Sequence, residues 1–120
     1  MVEIQNKIYN LEDRTREFAI KIRMFLRKLP KTVSNIEDGK QVVRSSGSIG
    51  ANYIEANEAL SKKDFKMRIK ISRKEAKESG YWLKIIVANN DIKYSQESNE
   101  LIGEAEELKK ILSSILEKSK

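Results

Sequence analysis

The chain has 120 residues, 39% apolar and 35% charged, with a formal net charge of +6. It contains neither Cys nor His, which excludes disulfides, zinc–thiolate sites and thiol nucleophiles and removes the usual general base and the commonest metal ligand. No apolar run reaches the roughly 18 residues of a membrane span, and the stretch Met1 to Lys7 lacks the apolar centre of a signal peptide, so the expectation is one cytoplasmic domain over residues 1–120.

No segment alternates with period two over a useful length, so no sheet is expected. The first helix is predicted from about Leu11 to Leu29. Asn10 is its N-cap, and Glu12 and Asp13 suit the positive end of the helix dipole. Leu11, Thr15, Phe18, Ile22, Phe25 and Leu29 recur at steps of four and three and make one seam; Pro30 ends the helix.

The second helix is predicted from about Ile36 to Ala59, capped by Asn35 with Asp38 three residues on. Its centre, Ser45-Ser46-Gly47-Ser48-Ile49-Gly50-Ala51, is poor helix material, because each interior Gly costs about 1 kcal/mol relative to Ala. Small side chains let another backbone come close. That neighbour is either a helix of the same bundle or a second subunit. Gly47-Ser48-Ile49-Gly50 is not a phosphate-binding loop, since no strand precedes it.

The third helix is predicted from about Lys62 to Ala88, with Ser61 as cap and Asp64 at the third position. Phe65, Ile69, Ser72, Ala76, Ser79, Leu83 and Ile86 form its seam. The fourth runs from about Gln96 to Lys118, capped by Ser95 or Ser98, with Leu101, Ala105, Leu108, Leu112 and Ile115 inward. The links are short, so sequential helices are antiparallel neighbours. The predicted fold is an all-α, antiparallel up-down-up-down four-helix bundle.

Charge is unevenly spread. Basic residues dominate 1–35 and 62–95, while 36–61 and 96–120 carry an acidic excess. On the third helix Lys63, Lys66, Lys70, Arg73, Lys77 and Lys84 lie near one face, with Lys62 and Lys74 beside it, and the first five are the candidate nucleic-acid-binding residues. Such a stripe neutralises phosphates in a salt-sensitive, largely sequence-independent way. It is more often the pattern of an ordinary solvated helix face, for which Lys is a favoured filler, and less readily that of a membrane-surface helix. Arg16, Arg23 and Arg27 on the first helix are candidates to extend it.

Polar residues also fall where a core belongs. Arg44, Ser48, Asn52 and Glu55 share one face of the second helix, and Glu75 and Glu78 one face of the third. If these faces meet, they form a network that must be fully hydrogen-bonded, because unpaired buried charge is costly. A di-metal carboxylate site is the sharper alternative, but ferritin-like sites need Glu-x-x-His pairs and there is no His. No catalytic residue, metal or cofactor is expected.

The stretch Gln41 to Ala56 resembles the four-helix-bundle proteins encoded in intervening sequences of bacterial 23S ribosomal RNA genes. Arg44, Ser48, Ile49, Asn52 and Glu55 stand at that family's spacing, and Ser61-Lys62-Lys63-Asp64-Phe65 and Lys74-Glu75-Ala76-Lys77-Glu78-Ser79 look like its third helix. The similarity covers roughly residues 10–118. It implies an up-down bundle that assembles as a homo-oligomer, commonly a pentamer, and association with RNA. Gly47, Gly50 and Tyr53 on the second helix, with Tyr81 and Trp82 on the third, are the candidate interface residues. A protein–protein assembly module without nucleic-acid binding is the rival function.

Overall fold

Four helices account for nearly all of residues 10–120, which the computed structural model describes: α1 (Leu11–Arg27), α2 (Val33–Asn57), α3 (Lys62–Asn89) and α4 (Gln96–Lys118). No strand occurs among the described residues. The expectation for Met1 to Lys7 lies outside them.

Three helix starts fall where capping chemistry places them. Asn10, Ser61 and Ser95 each accept the backbone N–H three residues on, from Asp13, Asp64 and Ser98. The second helix differs from expectation. It begins three residues earlier, because Thr32 rather than Asn35 is the cap, and its side chain accepts from the Asn35 N–H at 3.2 Å.

Asn35 is instead buried and committed to tertiary contacts. Its amide donates to the Pro30 carbonyl at 2.8 Å and to Asn90 Oδ1 at 2.9 Å, and Asn90 Nδ2 donates back to Asn35 Oδ1 at 2.7 Å. This reciprocal amide pair ties the α1–α2 link to the C-terminal cap of α3. Directly after that cap, Asp91 adopts φ 54°, and the N–H groups of Asp91 and Ile92 bond the carbonyls of Ala88 and Val87. That is a Schellman ending, with an Asp standing where glycine is commonest.

The predicted seams point inward. Phe18, Ile22, Val42, Ile49, Ile69, Leu83, Ile86, Leu108 and Leu112 are fully buried in one core. In α4 the last inward position is Leu116 rather than Ile115, which is only half-buried, as the 3.6-residue period requires after several turns.

Packing follows chain order. α2 and α3 share the broadest contact, then α3 with α4 and α1 with α2; α1 and α4 touch least, and α1 and α3 lie on a diagonal without packed contact. The α2–α3 seam is close because its inward residues are small. Ser45 and Ser79 hydroxyls meet at 2.9 Å, and Ser72 Oγ donates to the Ile49 carbonyl at 2.7 Å across the seam. No buried side-chain N or O atom among the described residues lacks a hydrogen-bond partner, as a well-determined interior requires.

Candidate nucleic-acid interface

α3 is an unbroken 28-residue helix, so its 3-4-3-4 spacing puts Lys63, Lys66, Lys70, Arg73 and Lys77 on one line roughly 21 Å long. Lys63, Lys70 and Lys77 are exposed, and Lys66 and Arg73 are half-buried. None of the five pairs with a carboxylate among the described residues.

The reason is visible on the same helix. Glu75 and Glu78 turn toward α2, where both meet the Arg44 guanidinium. Its Nη2 lies 3.2 Å from Glu75 Oε1 and 3.2 Å from Glu78 Oε2, and Nη1 lies 3.3 Å from Glu75 Oε2. The acidic residues of the central turns are thereby drawn to one side and leave the lysine side uncompensated. Lys84, expected near the same face, is the exception: two turns beyond Lys77 it faces Glu106 of α4 at 3.9 Å and is compensated.

The arginines of α1 do not extend this stripe. α1 lies diagonally across the bundle from α3, so the two basic faces are separate. Arg16 pairs with Asp13, and Arg23 lies over α2, donating to the carbonyls of Ala19 and Val43 at 2.9 and 3.3 Å. Periodicity fixes which way each helix faces but not which helices adjoin, and this expectation needed the second.

The polar set on α2 and α3 divides into two clusters. One is Arg44 with Glu75 and Glu78. The Glu75 side chain is only 7% exposed, whereas that of Arg44 is 55% exposed, so a buried carboxylate meets a guanidinium that still reaches water. Hydrogen bonding to Glu75, then the charges of Glu75 and Glu78, hold the Arg44 pKa above its ordinary value.

The other cluster joins Asn52 and Glu55 to Arg68, a residue outside the predicted set. Arg68 donates to Asn52 Oδ1 at 3.1 Å and approaches Glu55 at 3.9 Å. Ser48 contributes its backbone carbonyl, which accepts from Asn52 Nδ2 at 2.9 Å. The signal for Arg68 was present: it lies two turns before Glu75, on the same face of α3.

Of the five interface candidates, two are accounted for inside the chain. A Cβ on Gly50 would lie 2.6 Å from Thr15 Oγ1 of α1, and one on Gly47 would lie 3.4 Å from Arg23 Nη2. The small residues of α2 therefore serve close approach of α1. Tyr53 and Trp82 are half-buried against the core, and Tyr81 is 60% exposed one turn beyond Lys77, edge-on to Trp82.

No group of three or more His, Cys, Asp or Glu residues able to hold a metal ion occurs among the described residues, and none of their helices is long and apolar enough to cross a membrane. Fold and site together define a class: an all-α, up-down four-helix bundle with a basic helix face that pairs with no carboxylate among the described residues. Within that class, the chain belongs to the 23S rRNA-intervening sequence protein family, which matches residues 7–114. It is also similar to a crystal structure of a protein with unknown function from the S23 ribosomal protein family from Bacteroides thetaiotaomicron VPI-5482, with 32% identity, 88% of this chain and 96% of that chain covered, and a TM-score of 0.76. No curated protein matches the chain.

Proposed function

We propose that this protein is a non-enzymatic, self-associating bundle that binds RNA through the α3 stripe. The observation that carries the reading is five cations at helical spacing with no carboxylate partner among the described residues. Their mean spacing of roughly 5 Å along the helix suits successive backbone phosphates. Tyr81 is the single exposed ring close to this line, which favours backbone contact over base stacking. The lack of His and Cys supports a role without chemistry. The resemblance supports the RNA association and a homo-oligomer, pentameric in its commonest form.

Five neutralised phosphates give a slope of log K against log salt of about −3.5 on a single strand and about −4.5 on a duplex. Mobility-shift titration of a structured RNA at several salt concentrations measures it. Lys66→Glu, Lys70→Glu and Arg73→Glu together abolish binding and leave far-UV circular dichroism unchanged. Absence of binding at low salt refutes the RNA reading and leaves the adaptor reading standing.

A further inference from the structure

The seam between α1 and α4 is the thinnest in the bundle, and a groove of about 900 Å³ runs along it. Two ion pairs bridge it. Arg14 grips Glu104 with both ends of its guanidinium, at 2.7 and 2.9 Å, and Lys28 meets Glu97 at 2.7 Å. Phe18 and Leu101 form the floor, and Met24 stands on the wall, 52% exposed. The walls carry Asp13, Glu17, Glu97, Glu100 and Glu104 against Arg14 and Lys21, with Lys28 added at the Glu97 end, so the groove is acidic although the chain as a whole is +6. Glu17 and Glu100 are exposed and have no basic partner among the described residues.

A groove of this kind needs a helix with cations at its edge, and this chain carries one. Glu97, Glu100 and Glu104 step by three and four, the same rhythm as Lys70, Arg73 and Lys77. The chain's own stripe cannot enter its own groove, because α1 and α3 are diagonal. We infer that the acidic α1–α4 groove takes the basic α3 stripe of a second copy, so that nucleic acid and the neighbouring subunit compete for the same cations. The competition rests on the RNA reading; the docking does not. The contact is head-to-tail: each docked copy keeps one free groove or stripe, and the assembly grows until it closes on itself.

Two variants test this through their mixture. Glu17→Lys with Glu100→Lys reverses the groove, and Lys66→Glu, Lys70→Glu and Arg73→Glu reverse the stripe. By light scattering at low salt, the unmodified protein exceeds its 13.9 kDa monomer mass, and salt lowers that mass. Each variant alone is a monomer. Mixed in equal amounts, they associate with one another, because the intact groove of one takes the intact stripe of the other and the two reversed faces are again opposite in charge. Glu17→Gln with Glu100→Gln repeats the test should the reversal disturb folding.

Added RNA dissociates the unmodified assembly, and the groove variant, with its stripe free, binds RNA at least as tightly as the unmodified protein. A monomeric unmodified protein, a groove variant that keeps the full mass, or a mixture that stays monomeric overturns the docking. A mixture that associates, with no RNA effect on the unmodified assembly, upholds the docking and removes the competition.

Discussion

Replacing Gly50 by Ala sets two opposed effects against each other, and the structure decides the sign. Ala in a helix interior is favoured over Gly by about 1 kcal/mol. Here the new methyl would lie 2.6 Å from Thr15 Oγ1 and 3.1 Å from Thr15 Cβ, roughly 1 Å inside ordinary contact. Thr15 cannot readily yield. It is 1% exposed, and its hydroxyl donates to the Leu11 carbonyl at 2.7 Å. Overpacking of this kind costs about 1–3 kcal/mol, and losing the hydroxyl's bond adds about 1 kcal/mol. Gly50→Ala therefore destabilises by about 1–3 kcal/mol net, or roughly 4–12 °C in Tm.

Gly103 provides the control, since nothing lies within 4 Å of its added methyl, and Gly103→Ala stabilises by about 1 kcal/mol. Gly47→Ala meets only the flexible end of Arg23 and falls between the two. Urea denaturation followed by circular dichroism, at one fixed protein concentration because assembly shifts apparent stability, measures all three. Thr15→Ala added to Gly50→Ala recovers part of the loss as a coupling of about 1 kcal/mol. A Gly50→Ala protein as stabilised as the Gly103→Ala protein would refute the close-approach argument.

Two further outcomes concern the polar interior. Arg44→Ala strands the buried Glu75 carboxylate and costs about 1–3 kcal/mol, whereas Glu78→Gln, at the exposed end, costs under about 1 kcal/mol. Because the Arg44 pKa is raised in the folded state, its contribution is present below the unfolded value and lost only as pH rises through the folded one. The Arg44→Ala loss is accordingly the same at pH 7 and at roughly pH 9 in paired urea titrations. Asn35→Ala and Asn90→Ala each cost about 1–3 kcal/mol, and the double variant loses less than the sum, since either change alone leaves the facing amide short of a partner.

The inward seams were legible because a 3.6-residue rhythm of apolar side chains is a local property, and Phe18, Ile22, Leu83, Leu108 and Leu112 follow it. The stripe on α3 was legible for the same reason. What escaped depends on which helices adjoin. Asn35 has the chemistry of a cap, yet its amide faces Asn90, 55 residues on, and Thr32 takes the cap position. Gly47 and Gly50 announced a close neighbour without saying that it is α1. Arg68 shares the face of Glu75, two turns on, but only the meeting of α2 and α3 gives it Asn52 and Glu55. The diagonal placement of α1 against α3, which separates two basic faces, already follows from sequential helices being neighbours, and the expectation that α1 extends the stripe overlooked it.

Because nearly every packed seam joins helices consecutive in the chain, the bundle is built from hairpins that each close a short loop. Such a topology folds quickly and can start at the broad α2–α3 hairpin. The contact of α1 with α4 brings together the two segments farthest apart in sequence and has the least area with which to hold them. It is the last edge to zip during folding and the first to part when the native state fluctuates.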